Sequence, residues 1–459
     1  MQTTAPVKKL APPEPKEKHW LFGSGYALRH NAHLVVPQML AKYGDMVLLT
    51  LPFTRIVIAG KPEYAKHVLV ENNKNYRKSL AYDMIKLLLG NGLLTSEGEF
   101  WKKQRRLAQP AFHKTKLADL TAMMVRRSQQ EADNLKSKAD SGEYFDITPL
   151  MTNLTLEIIS EAIFSNGVSD KADLVSRQIT LLNQYATDKL NSPIRLPALF
   201  PTPANINERK AIKILDKIIY DIIDERRKAG VSKSDLLSML LDARDEDTGE
   251  AMDNKQLRDE VMTIFIAGNE TTANAMAWTL YLLSQNPEAE AKMIKEIDEK
   301  LDAGVELNFQ NVLGFQYVRQ VIDESMRLYP PAWVVGRRNY ADDEIGGYHI
   351  PKDTNVLVPI MYFHRSEKYW DEPLKFKPER FAPEVKNNID RYVYFPFGGG
   401  PRLCIGNNFA LMEMQIILIH FYRKYKFRLK PGFVVEPEPL ITLRPKNGMV
   451  MKVERREGK

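Results

Sequence analysis

Apolar residues recur at helical spacing over most of this chain. Over residues 211–228 they fall at 212, 215, 218, 219, 222 and 223, which is one face of a helix with 3.6 residues per turn. That period dominates from Pro62 to about residue 330. The longest predicted helix starts near Asp253-Asn254, either of which can cap it, and stops before Asn286-Pro287. An apolar stripe predicts another helix from Asn407 to about Tyr425. Strand signals are fewer. Residues 46–59 read as two short β-branched strands around a turn at Pro52, residues 339–360 as strand and turn through Gly346-Gly347 and Pro351, and Ile441-Thr442-Leu443 as β-like. The pattern predicts a mainly α fold with a minor β-sheet region (α+β). It predicts one continuous helix-rich domain over 20–455, with a short tail at 456–459.

Two stretches break the pattern. Residues 1–19 are rich in Pro and Lys and read as a flexible tail. Residues 166–210 are polar and then Pro-rich (Pro193, Pro197, Pro201, Pro203), which predicts a mobile connection of the kind that serves as a lid.

With 459 residues and a hydrophobic fraction of 44%, the chain can bury a large core. The net charge of +7 favours an acidic partner. No basic run is interleaved with aromatics, so the expectation is a protein partner and no nucleic acid. No run of 18 apolar residues occurs, so no transmembrane anchor is expected, and no signal peptide opens the chain. Both point to the cytoplasm. His30 and His33 lack a third ligand nearby and read as surface histidines. No phosphate loop, dinucleotide fingerprint or zinc spacing is present.

Cys404 is the single cysteine. It has no partner for a disulfide, a zinc site or an iron–sulfur cluster. It lies in Phe397-Gly-Gly-Gly-Pro-Arg-Leu-Cys-Ile-Gly406. Glycines let a backbone approach a flat cofactor, and freed N–H groups stabilise a thiolate. Arg402 is a fixed cation suited to a propionate. A lone cysteine is more often buried and structural. Here Phe-x-x-Gly-x-Arg-x-Cys-x-Gly is matched at Phe397, Gly400, Arg402, Cys404 and Gly406, and the reading becomes a thiolate ligand of haem iron.

That loop resembles the cysteine loop of the cytochrome P450 family, and three further motifs follow the same order. Ala267-Gly-Asn-Glu-Thr-Thr272 lies inside the longest predicted helix. Its small residues, Ala267 and Gly268, leave room for O2. The Thr271 hydroxyl can bond the carbonyl of Ala267 and loosen the helix. The segment is similar to the family's oxygen-activation segment, which implies Thr271 and Glu270 as the catalytic proton donors. Glu324-Ser-Met-Arg327, with Arg380 of Pro378-Glu-Arg-Phe381, resembles the family's Glu–Arg–Arg network and implies a structural role behind the cysteine loop. Trp101-Lys-Lys-Gln-Arg105 resembles the Trp-x-x-x-Arg propionate motif. Lys102, Lys103 and Arg106 on the same helix would form a basic patch for an acidic electron donor.

The resemblance spans about residues 20–455. It implies haem b (iron protoporphyrin IX) held by Cys404, Trp101, Arg105, Arg402, Phe397, Gly398, Ala267, Gly268 and either Arg337 or Arg338, of which Arg337 is favoured. It implies a monooxygenase that uses O2 and draws electrons from a separate ferredoxin or flavodoxin fed by NAD(P)H. By position, Leu94, Ala267, Ala332, Trp333, Val334, Ile441 and Thr442 would line a pocket for a hydrophobic small molecule. The chain looks like both the fatty-acid hydroxylase and the carotenoid hydroxylase branches, so a fatty acid and a terpenoid both stay open. A haem-thiolate peroxygenase or isomerase is the alternative within the fold. A non-catalytic haem carrier or sensor is the alternative from another class.

Overall fold

The computed structural model describes residues 10–17, 19, 23–29, 31–165, 174–175, 177–178, 181–182, 185, 200–230 and 233–457. The chain divides into two compact units. One, the sheet unit, is Met1–Asp83, Ala332–Leu374 and Ile389–Cys404. The other, the helical unit, is Met84–Pro331, Lys375–Asn388 and Ile405–Lys459.

In the sheet unit, the two predicted strands over 46–59 are β1 (Met46–Leu51) and β2 (Thr54–Ala59). They pair antiparallel from Met46↔Ala59 to Leu51↔Thr54 across the Pro52-Phe53 turn. With β3 (Tyr76–Lys78), β4 (Val335–Asn339) and β5 (Asn355–Val358) they form a sheet ordered β1-β2-β5-β4-β3. Successive strand residues face opposite sides. Met46, Val57, Ala59, Val356 and Val358 accordingly enter one core, and Val47, Leu49 and Ile58 the other. Residues 10–15 are not a free tail. Leu48 N–H donates to Pro13 O (2.8 Å), His349 N–H donates to Leu10 O (2.8 Å), and Ser24 Oγ donates to Glu14 Oε1 (2.9 Å). Pro12 and Pro15 are buried. Residues 1–9 of the expected tail lie outside the described residues. So does His30, and His33 is half-buried beside Arg365 rather than on the surface.

The helical unit carries α1 (Gly98–Ala108), α2 (Lys114–Ser141), α3 (Ile147–Phe164), α4 (Pro203–Ala229), α5 (Asn254–Gln285), α6 (Gln316–Leu328) and α7 (Asn407–Lys424). Pro203 sits in the first turn of α4, where its missing N–H costs nothing, and Thr202 Oγ1 caps the helix by accepting from Asn205 N–H (3.1 Å). Residues 203–210 of the expected connection are therefore helix, while Pro193 and Pro197 lie outside the described residues. At the far end Arg456, expected in a C-terminal tail, is tied to Asp298 and donates to Tyr422 O (2.7 Å). Among the described residues no helix is long and apolar enough to cross a membrane.

Helix α5 has both of the ends read from sequence. Asp253 Oδ1 accepts from Gln256 N–H (2.7 Å), and Gln256 Oε1 accepts from Asp253 N–H (3.1 Å), a reciprocal capping box. Residues 257–265 and 272–280 are buried without a break. Loss of the cap tests how much α5 depends on its start: Asp253→Ala should cost about 1 kcal/mol, read as a lower urea midpoint with an unchanged slope.

Candidate active site

Cys404 is exposed, unlike most unpaired cysteines. The loop before it is closed by backbone bonds. Gly398 N–H donates to Phe395 O (2.9 Å), Leu403 N–H to Gly400 O (3.1 Å) and Cys404 N–H to Phe397 O (3.1 Å). Phe395 N–H donates to His364 Nε2 (3.1 Å) and anchors the base of the loop. Gly400 is required: its φ is +71°, and an added Cβ would stand 2.0 Å from Leu69 O. Phe397, Gly398 and Arg402 are half-buried within this turn.

Strand alternation separates the two candidate arginines of β4. Arg338 ion-pairs with Asp353 (3.3 Å). Arg337 is buried, and among the described residues its hydrogen-bond acceptor is the backbone oxygen of Gly336 (2.9 Å), with no carboxylate in ion-pair reach. A buried guanidinium of that kind calls for an anion.

In the helical unit, the middle of α5 opens. Ile266, Ala267, Gly268, Glu270 and Thr271 are partly exposed between fully buried stretches. Thr271 Oγ1 donates to Ala267 O (2.7 Å), the bond expected from the sequence. Thr155 Oγ1, on α3, donates to Asn269 Oδ1 (2.7 Å). Gly268 has a use that the sequence did not suggest. A Cβ there would stand 3.0 Å from Ile159 Cδ1, so its smallness serves the close approach of α3. Glu270 Oε1 accepts from Thr442 Oγ1 (2.6 Å), and Thr442 Oγ1 accepts from Asn274 Nδ2 (3.1 Å). Burial pushes the Glu270 carboxyl above its usual range, against the pull of the Thr442 hydroxyl and the Arg444 guanidinium.

Glu324, Arg327 and Arg380 come together. Arg327 Nε and Nη2 donate to Glu324 Oε2 and Oε1 (2.6 and 2.8 Å), Lys377 N–H donates to Oε1 (2.8 Å), and Arg380 Nε lies 3.4 Å away. Glu324 and Arg327 are fully buried.

The Cytochrome P450 family model matches residues 12–452. The chain belongs to the cytochrome P450 family. Among its relatives, cyclooctat-9-en-7-ol 5-monooxygenase of Streptomyces melanosporofaciens is 33% identical over 440 residues, covering 93% of each chain. Pentalenene oxygenase of Streptomyces avermitilis is 30% identical over 88% of this chain and 89% of that one. The crystal structure of the cytochrome P450DA heme domain matches with a TM-score of 0.89 and 26% identity over 98% of each chain.

This P450 is an oxidoreductase that incorporates oxygen from O2, its cofactor is haem, and it requires a redox partner. Its residues fit that cofactor. The sheet unit offers an exposed thiol and a buried cation that lacks an anion. The helical unit offers an opening in an otherwise buried helix, with Trp101 buried and Arg105 half-buried on α1. The expected basic patch on α1 is not free. Lys102 pairs with Glu99 (2.6 Å), Lys103 with Glu250 (2.5 Å), and Arg106 with Asp245 and Asp247 (2.7 and 2.8 Å). The Arg106 guanidinium beside Asp245 holds that carboxyl down at about 2. The candidate pocket residues fall in both units. Leu94, Ala267, Ile441 and Thr442 belong to the helical unit, and Ala332, Trp333 and Val334 to the sheet unit. Ile441 and Thr442 form a bend before the strand Leu443–Pro445 rather than strand.

Sequence reading missed three groups. Asn274 is four residues from Glu270 on one helix face, a spacing visible in the sequence. The tie of Thr442 to Glu270 and the backbone donor of Lys377 join residues too distant along the chain to be paired by pattern. Removing one partner of a buried ion pair strands the other. Glu324→Ala should therefore cost about 3–5 kcal/mol by chemical unfolding, whereas a loss below about 1 kcal/mol would class the pair with solvated surface bridges.

Proposed function

We propose that this P450 inserts one oxygen atom of O2 into a C–H bond of a terpenoid-type hydrocarbon, and that Cys404 Sγ is the protein group that would hold the iron of haem b. The observation that carries the ligand assignment is the exposed thiol of the only cysteine, on a loop whose turn takes positive φ at Gly398 and Gly400. The substrate class is supported by the relatives named for oxidation of a cyclic alkenol and of pentalenene. It is also supported by the apolar character of Leu94, Ala267, Ala332, Trp333, Val334 and Ile441.

Bound haem supplies the iron at which O2 is reduced and cleaved. The protein's part is to hold that group and to manage protons. Trp101, Arg105, Arg337 and Arg402 would bind the propionates; Arg337 is favoured over Arg338, because Arg338 shares Asp353 with Arg77 whereas Arg337 has no carboxylate in ion-pair reach among the described residues. Phe397 and Gly398 border the thiolate side, and Ala267 and Gly268 the oxygen side. Thr271 Oγ1 carries the hydroxyl that hands on a proton. Glu270 stands behind it as the reservoir, its carboxyl pushed above the usual range because burial disfavours its charge. Glu324, Arg327 and Arg380 hold the segment that precedes the cysteine loop. Electrons come from a ferredoxin or flavodoxin, an acidic partner suited to a chain of net charge +7.

Cys404→Ser replaces a soft thiolate by a weak oxygen ligand. The variant should keep haem but lose the red-shifted absorption of the reduced carbon monoxide complex, and persistence of that band would remove Cys404 as the ligand. Substrate class is tested by optical titration of the holoenzyme. Cyclic terpenoid alkenes and alcohols should displace the iron's water and shift the Soret band at micromolar concentration, with straight-chain fatty acids at least about tenfold weaker, a difference of about 1.4 kcal/mol. Tighter binding by fatty acids would reverse the assignment.

A further inference from the structure

We propose that Asn274 and Thr442 are positioning residues that fix the transferable proton of Glu270 on one oxygen, Oε2. The inference rests on the reading of Glu270 as a proton donor. The argument is one of donor and acceptor capacity. An amide nitrogen only donates, so in the Asn274 Nδ2 to Thr442 Oγ1 bond (3.1 Å) the hydroxyl oxygen accepts. A hydroxyl has one hydrogen, and that of Thr442 goes to Glu270 Oε1 (2.6 Å). Oε1 is therefore an acceptor. In the protonated acid it is the carbonyl oxygen, and the acid hydrogen sits on Oε2.

The arrangement is built rather than incidental. Asn274 and Thr442 are both buried, so water does not compete for these bonds. Glu270 and Asn274 lie one helical turn apart on the same face of α5, and Thr442 reaches both from the bend before Leu443–Pro445. The charged group facing the acid is Arg444, whose Nε donates to Glu438 Oε2 (2.8 Å) and is thereby partly neutralised.

The consequence is directional. When Glu270 gives up its proton, the Oε2–H bond breaks, its electron pair stays on the carboxylate, and the proton passes to an acceptor oxygen of water or of Thr271. The Thr442 bond then becomes charge-assisted and shorter, so it favours the ionised state at the moment of transfer. Bulk water restores the proton. A carboxyl free to rotate would present the wrong oxygen in a share of its orientations.

The test uses the holoenzyme and the infrared carbonyl stretch of the protonated acid, identified as the band that Glu270→Gln removes. Accepting a hydrogen bond weakens a C=O bond, so Thr442→Val, close in shape, should move that band to higher frequency. Product formed per electron pair should fall by roughly 2- to 10-fold, the scale of one net hydrogen bond. Thr442→Ser should restore both values, which a purely structural role for the side chain would not require. If Thr442→Val does not fold, Asn274→Ala serves: it frees the Thr442 oxygen and should move the band in the same direction by a smaller amount. An unmoved band in a folded Thr442→Val or Asn274→Ala variant, or no band lost in Glu270→Gln, overturns the inference. The parent reading fails separately, by unchanged coupling in Glu270→Gln, and the band position still decides the placement of the proton.

Discussion

A polar group inside a buried helix is costly without a partner, and much of this structure depends on how α5 meets that constraint. Its flanks are buried over residues 257–265 and 272–280, and its middle carries a glycine, an acid and two threonines. Several of these polar groups are matched. Thr271 returns its hydroxyl to Ala267 O, and Thr155 of α3 reaches the Asn269 side chain. Farther up, Asp259 accepts from Asn91 N–H (2.8 Å) and Glu260 from Leu93 N–H (3.0 Å), so the loop that leads to Leu94 is fastened to the same helix. The helix is a spine to which α3 and the loop of residues 90–94 are both tied by polar bonds.

Small residues make those ties possible by close approach. Gly268 lets Ile159 come in, and Gly90 and Gly92 let their loop lie on α5, where added Cβ atoms would stand 2.0 Å from Asp259 Oδ1 and 2.3 Å from Thr263 Oγ1. An opening in a packed helix is costly unless the surrounding elements are held at fixed distance. These glycines set the distance, and the hydrogen bonds set the register.

Most of this was legible in the sequence where the signal is local. The ends of α5, the strands over 46–59, the Thr271 to Ala267 bond and the Glu324–Arg327 pair all follow from spacings of a few residues. The different partners of Arg337 and Arg338 were not legible, because they depend on which face of β4 meets Asp353. The basic patch on α1 was misread for a similar reason. Its cations look free along the chain, and the carboxylates that neutralise Lys103 and Arg106 come from residues 245–250, more than a hundred positions away. The tail was misread at residues 10–15, because composition does not reveal that Leu48 and His349 donate to its carbonyls.

Glu270 and Glu324 differ in how their carboxyl oxygens are held. Burial pushes both Glu270 and Glu324 upward. Glu324 has both oxygens occupied, by Arg327, by the Lys377 amide and by the nearby Arg380. Glu270 has one oxygen held, by a hydroxyl that is itself held, and lies where α5 opens. An apolar side chain at Glu270, Asn274 or Thr442 would be the cheaper filling for stability alone. A fold that keeps three polar groups in series, and leaves one carboxyl oxygen of the series without a partner among the described residues, has the arrangement that the proposed proton donor needs.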